Sequence, residues 1–171
     1  KKGKAIRFAE SAVRPMGRTA RGVRAIRLRS DDEVVAMAAC NDDAVILTIS
    51  ETGYGRRSDV TDYRLQSRGG KGITNYRVGK YGLVAQIAMV EGEKDVIMIS
   101  SDGIVIRIPA ESISRFARPS KGVRVMRVKD GERIITLSLA EKEEIVLTKF
   151  FEETLFENIT LEQLKTLKEN K

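Results

Sequence analysis

Arg18, Arg68 and Arg118 stand 50 residues apart, and Arg21, Lys71 and Lys121 repeat at the same interval. Arg7, Arg57 and Arg107 form a third basic column, and Arg27, Arg77 and Arg127 a fourth. A guanidinium offers a planar fork of donors suited to phosphate or carboxylate oxygens; a lysine ammonium is a mobile point charge. Groups of this kind at fixed intervals make a periodic positive surface, and the chemistry it suits is the grip of a long polyanion. Bond-making chemistry is disfavoured. The chain has no histidine, so no histidine-based triad, general base or metal cluster is available. Asp31-Asp32 and Asp42-Asp43 fall where turns are expected, and turn chemistry accounts for them better than paired-carboxylate catalysis. No catalytic residue, metal site or cofactor is expected in this stretch of chain.

The most distinctive segment is Tyr63-Arg64-Leu65-Gln66-Ser67-Arg68-Gly69-Gly70-Lys71-Gly72. Three glycines around a lysine read as a flexible, exposed loop whose backbone N–H groups can face an anion. Walker A is excluded, because Gly72, not Ser or Thr, follows Lys71. The same offsets give Arg18-Thr19-Ala20-Arg21-Gly22 and Arg118-Pro119-Ser120-Lys121-Gly122. Each unit thus carries a basic loop ending in glycine, followed by a segment with Arg27, Arg77 or Arg127.

The elements that position these loops follow from the period. Gly3, Gly53 and Gly103 recur with the arginines. A repeat near this length marks propeller-like or solenoid architecture, in which a unit buries its apolar face only against a neighbour. The units are read as 1–53, 54–103 and 104–153, with 154–171 as a tail. Charge is sorted in phase with them: residues 4–30, 54–80 and 104–130 sum to +7, +5 and +5, while 31–53, 81–103 and 131–153 sum to −6, −3 and −3. Short strands are expected at Ala5–Phe8, Val23–Leu28, Val34–Ala39 and Val45–Ile49; at Ile73–Val78, Leu83–Val90 and Val96–Ser100; and at Val123–Val128, Ile134–Leu139 and Ile145–Thr148. Turn residues separate them, and roughly four strands per unit is the signature of a propeller blade. The fold class is therefore all-β. With 5% aromatic residues and no tryptophan, the core should be aliphatic. Tyr63 shares its offset with Val13 and Ile113 and is expected to pack. Cys40 ends an apolar run and reads as a small buried hydrophobe; a single cysteine forms no internal disulfide and fits a reducing compartment. Thr160-Leu161-Glu162-Gln163 has capping-box spacing and suggests a short helix over about 160–169. The chain begins Lys1-Lys2-Gly3, inside a repeat unit, and reads as a piece of a longer protein. No apolar run is long enough for a membrane helix, so a cytoplasmic, non-membrane protein is expected.

Gln66-Ser67-Arg68-Gly69-Gly70-Lys71-Gly72 closely resembles the gyrase box, Gln-Arg-Arg-Gly-Gly-Lys-Gly, of the C-terminal domain of DNA gyrase A, with Ser67 in place of one arginine. Ile6-Arg7-Phe8 through Met16-Gly17-Arg18-Thr19-Ala20-Arg21-Gly22-Val23, and Gly53-Tyr54-Gly55-Arg56-Arg57, are similar to the same family. The resemblance extends from residue 1 to about 148. It implies a β-pinwheel, a propeller relative of six blades in which neighbours exchange an outer strand, and of which this chain supplies about three. The segment around 6–28 resembles the fourth blade, which makes residues 66–72 a second, box-like copy in the fifth. The family's basic rim wraps duplex DNA so that ATP-driven strand passage introduces negative supercoils. The resemblance implies contact with double-stranded DNA by Gln66, Arg68, Gly69, Gly70, Lys71 and Gly72. It also implies a nucleoid-associated bacterial setting, with three further partners: the remaining blades, the catalytic core of the same protein, and the ATPase subunit of the holoenzyme. Arg18, Arg21, Arg118 and Lys121 are the further loop contacts; the Arg7 and Arg27 columns are secondary. Basic residues without regular aromatic partners disfavour single-strand binding by stacking. Two other readings are the topoisomerase IV C-terminal domain and a protein-interaction propeller of the kelch or chromosome-condensation-regulator type.

Overall fold

The computed structural model describes residues 1–142. The strand expected at 145–148, the helix at 160–169 and the tail lie outside the described residues. Among those described, β1 (Lys4–Ala5), β2 (Val45–Ser50), β3 (Tyr54–Asp59), β4 (Ile73–Thr74), β5 (Val84–Val90), β6 (Lys94–Ser100), β7 (Val105–Pro109), β8 (Val123–Arg124) and β9 (Ile134–Glu141) follow in order. One-turn 3₁₀ helices stand at Glu10–Ala12, Val60–Asp62 and Ala110–Ser112. The strands form antiparallel sheets ordered β5-β2-β3-β8, β7-β6-β9 and β1-β4, so the all-β reading holds.

The hairpins β2–β3 and β6–β7 are the fixed points of the repeat. β2 is almost wholly buried, as expected of a nearly continuous apolar run in a central strand. Its turn needs glycine at Gly53: φ is +80°, and a Cβ there would lie 2.1 Å from the Met126 carbonyl oxygen. Each hairpin is bordered on one side by the long strand that follows it, β5 on β2 and β9 on β6. On its other side the β2–β3 hairpin takes the short strand β8 from the next repeat. Tyr54 pairs with Arg124 and Gly55 with Val123, and the same pairing recurs 50 residues earlier as Lys4 with Thr74 and Ala5 with Ile73. The bridges Arg7–Leu65 and Arg57–Arg115 keep that offset too. The repeats therefore exchange an outer strand, and none closes its sheet alone.

The core is aliphatic, built on Leu47, Ile49, Val96, Met98, Ile113, Ile134 and Leu137. Tyr63 is buried with it. Several expected strands are shorter. Ile73–Val78 and Val123–Val128 reduce to two residues each, because the next two N–H groups converge on one carbonyl. Asn75 and Tyr76 donate to Gly3, and Val125 and Met126 to Gly53. Ala5–Phe8 reduces to Lys4–Ala5 and a bridge at Arg7.

Val23–Leu28 and Val34–Ala39 form no strand. Val34 and Met37 are exposed, and so is Cys40, against the expectation of burial. The register explains this. Val34–Cys40 corresponds to β5, and β5 borders a hairpin strand that precedes it by 34 to 45 residues. No strand among the described residues stands to Val34–Cys40 as β2 stands to β5.

Candidate functional site

The recurring arginines divide into two groups. Those of the first group tie repeats together. Arg68 Nε donates to the Ala12 carbonyl (2.9 Å) and Nη1 to that of Arg24 (2.7 Å). Arg118 repeats the contact one unit on, with Nε to Asp62 O (3.2 Å) and Nη1 to Thr74 O (2.8 Å). Arg7 donates to the carbonyls of Val60 and Tyr63 (both 3.3 Å) and pairs with Asp42. Arg57 donates to Ile113 O (2.6 Å) and Glu111 O (2.9 Å). Each of these four guanidiniums clamps backbone across a repeat junction. Arg107 bonds the Asp95 carboxylate (2.8 Å) and Glu141 O (2.8 Å).

Arg18, Arg21, Lys71, Arg27, Arg77 and Arg127 form the second group. All are exposed, and their side chains form no hydrogen bond or ion pair among the described residues. Arg14, Arg24 and Arg64 are in the same condition. Lys121 departs from its column: its ammonium donates to the Tyr81 hydroxyl at 3.1 Å.

The glycine loop is docked, not free. Gly69 N–H donates to Ala25 O (2.7 Å), and Gly70 O accepts from Arg27 N–H (2.8 Å). Gly72 has φ +67°, and a Cβ there would meet Ala5 O at 2.5 Å. The reading of a flexible loop with open N–H groups is corrected accordingly: these glycines let the second repeat lie against the first. Gln66 bonds Arg7 O through its backbone N–H (2.8 Å), while its side-chain Nε2 is buried without a partner. What the loop leaves open to solvent is the Lys71 ammonium, with Arg64 nearby in sequence.

Sequence reasoning assigned no role to Arg56, which is fully buried. It faces neutral oxygens: Nε to Ser120 O (3.0 Å), Nη2 to Asn75 Oδ1 (3.0 Å) and to Asn75 O, and Nη1 to the Ser58 hydroxyl. Asn75 accepts a further bond from the Tyr63 hydroxyl at 2.5 Å. Ile6 and Ile106 occupy the Arg56 offset, and Ala25 and Val125 that of Asn75. The signal was a polar set at positions that are apolar in the other two units. Through Ser120 the buried guanidinium fixes the next basic loop. The aromatic–basic cluster of Tyr54, Tyr81, Lys121 and Arg124 was likewise not legible, since its members are distant in sequence.

Hairpins that exchange an outer strand at every junction define a β-propeller of the pinwheel type. The model of the family described as DNA gyrase C-terminal domain, beta-propeller, matches residues 1–41, 44–91 and 94–141. The chain belongs to that family. It is 39% identical over 142 residues to the DNA gyrase A protein of Staphylococcus epidermidis and 40% over 141 residues to that of Staphylococcus aureus, in each case over 81% of this chain and 16% of the relative. A solved DNA gyrase A C-terminal domain superposes with TM-score 0.74 at 26% identity, covering 81% of this chain and 48% of that one. The C-terminal domain of DNA topoisomerase IV superposes with TM-score 0.76 at 21% identity over 90% of this chain and 49% of that one, a likeness of fold alone. The chain thus spans 16% of the length of these curated relatives and about half of the solved domains.

Proposed function

We propose that this chain is a duplex-DNA-binding part of a DNA gyrase A protein. It holds the phosphate backbone through its unpartnered basic residues, and with the rest of that protein it wraps DNA in support of negative supercoiling. The observation that carries this reading is the division of the cations. Arg14, Arg18, Arg21, Arg24 and Arg27 stand exposed in the first unit, Arg64, Lys71 and Arg77 in the second, and Arg127 in the third, with no acid or carbonyl to occupy them among the described residues. Phosphate contacts of this kind set position and affinity without reading sequence. Bending a duplex costs on the order of 1–6 kcal/mol, so several such contacts must act together, which a repeat supplies.

Arg68, Arg118, Arg7 and Arg57 act in this reading chiefly by holding the junctions that space the free cations; Gln66 and Gly69–Gly72 dock the loop that carries Lys71. The same reading gives the chain three protein partners: the catalytic core, the remaining repeats and the ATPase subunit. A relaxed plasmid closed by a topoisomerase or ligase in the presence of the protein tests it. A change in linking number that grows with protein concentration supports wrapping. Binding without any such change would refute wrapping while leaving DNA contact intact.

A further inference from the structure

A cleft of about 540 Å³ lies at the junction of the second and third repeats, walled by Tyr54, Lys80, Tyr81, Lys121, Arg124 and Lys129. The tyrosine rings meet edge to face, 5.1 Å between centroids. Lys121 lies 4.7 Å from the Tyr81 ring centre and Lys80 5.2 Å from it, while Arg124 stands 5.2 Å from that of Tyr54 and donates to its hydroxyl at 2.9 Å. Asp130 and Glu132 also line the cleft; Lys129 is paired with Asp102 at 3.2 Å, and the Glu132 carboxylate accepts from the Ser101 hydroxyl. Lys80, Lys121 and Arg124 are left with phenols as their only side-chain partners among the described residues. A phenol orients a cation without neutralising it, so the cleft sets Lys80, Lys121 and Arg124 against the carboxylates of Asp130 and Glu132 and keeps a net positive charge for an anion.

The preceding junction shows that this is not forced by the fold. Its cleft is lined by Lys1, Lys2, Ser30, Asp31, Asp32 and Glu33, where Lys2 pairs with Asp31 and Lys1 with Glu33. At the corresponding offsets Thr52 replaces Lys2, Lys80 replaces Ser30 and Tyr81 replaces Asp31. The acids of the first cleft, Asp31, Asp32 and Glu33, give way to Tyr81, Gly82 and Leu83; the acids that line the second, Asp130 and Glu132, come from the third repeat.

We infer that the cleft of Tyr54, Lys80, Tyr81, Lys121 and Arg124 binds a phosphate group. The inference rests on the DNA-binding reading only for one source of that group, a duplex backbone phosphate; the other is a free phosphate ester. Phosphate oxygens match the Arg124 fork and the two ammonium groups, whose bonds to an anion exceed those to a neutral phenol.

Pyrophosphate is the probe, and tyrosine emission is the readout, since the chain lacks tryptophan and two of its four tyrosines line the cleft. Saturable quenching or enhancement is expected. The wild-type response should weaken by on the order of tenfold per lysine in Lys80→Gln and Lys121→Gln, and should be unchanged in Lys2→Gln at the first cleft. An anion in the cleft should also raise the pH at which Tyr81 ionises. A short duplex that displaces pyrophosphate identifies the source as DNA; one that binds beside it identifies a free phosphate ester. Either result supports the site. No tyrosine response, or a response that persists in the double lysine variant, overturns it. A chain that binds duplex but not pyrophosphate would sink the cleft and spare the DNA reading. The converse would do the reverse.

Discussion

Arg68 and Lys71 stand three residues apart in the box-like loop, yet one is engaged across the junction and the other is open to solvent. Arg68→Ala removes two charge-assisted hydrogen bonds, to Ala12 O and Arg24 O, that join the second repeat to the first. Hydrogen bonds to charged groups contribute about 1.5–3 kcal/mol each. The site is half-exposed and the freed carbonyls regain water, so the loss falls below that of two full bonds, at about 1–3 kcal/mol for the pair. Lys71→Ala removes an exposed side chain that has no partner among the described residues, and such changes fall within about 0.5 kcal/mol. On DNA the order reverses. Loss of Lys71 should reduce the slope of log K against log salt by about 0.9, the value for one phosphate. Loss of Arg68 should leave the slope nearly intact under conditions where the domain stays folded. Urea unfolding followed by circular dichroism measures the first quantity, and duplex binding across a salt series the second. If Arg68→Ala kept full stability and flattened the salt slope, the assignment of Arg68 as a junction clamp would be refuted. A double variant at the two positions confounds the effects.

Arg56→Ala should cost about 3–5 kcal/mol, because it leaves a cavity at a fully buried site and strips the Ser120 and Asn75 oxygens of their donor. Arg56→Ile, the residue at this offset in the other repeats, should still cost about 2 kcal/mol until Ser58 and Asn75 are also made apolar; urea midpoints check both. Gly122→Ala should be far worse than Gly22→Ala. Both glycines have positive φ, +75° and +78°, but a Cβ at Gly122 would meet Gly55 O at 2.0 Å and at Gly22 would meet nothing within 4 Å. We expect roughly 1 kcal/mol at Gly22, and at least about 3 kcal/mol at Gly122, where backbone must move. On alkaline titration followed by phenolate absorbance, Tyr81 should ionise before Tyr63 and Tyr76. The hydrogen bond from Lys121, with help from Lys80, holds its hydroxyl below the ordinary tyrosine value, whereas burial pushes Tyr63 and Tyr76 above it. Lys121→Gln should move the Tyr81 step upward, because the phenolate loses its nearest cation.

The repeat, the all-β class and the aliphatic core were legible because a period of 50 residues and dense β-branched runs leave few alternatives. Junction chemistry was less so. Arg7, Arg57, Arg68 and Arg118 recur for the same reason that the glycines do, namely close contact between successive units, but an arginine column looks the same whether it meets carbonyls or solvent. The distinction depends on contacts 44 to 56 residues apart along the chain, which no local pattern encodes. Val34–Cys40 reads as a buried strand by composition, and only the register of β5 on β2 shows that such a strand needs a hairpin before it. The Tyr54–Tyr81–Lys121–Arg124 cluster was invisible for a related reason, since it is assembled across the exchanged strand.

The most direct test of the account is the affinity of the folded chain for short and long duplexes as salt is varied. The account predicts binding that strengthens with duplex length, falls steeply with salt, and flattens when Arg18, Arg21 and Lys71 are replaced together by alanine. Absence of binding at about 50 mM salt, where phosphate contacts are strong, or binding indifferent to salt and to those replacements, would contradict it.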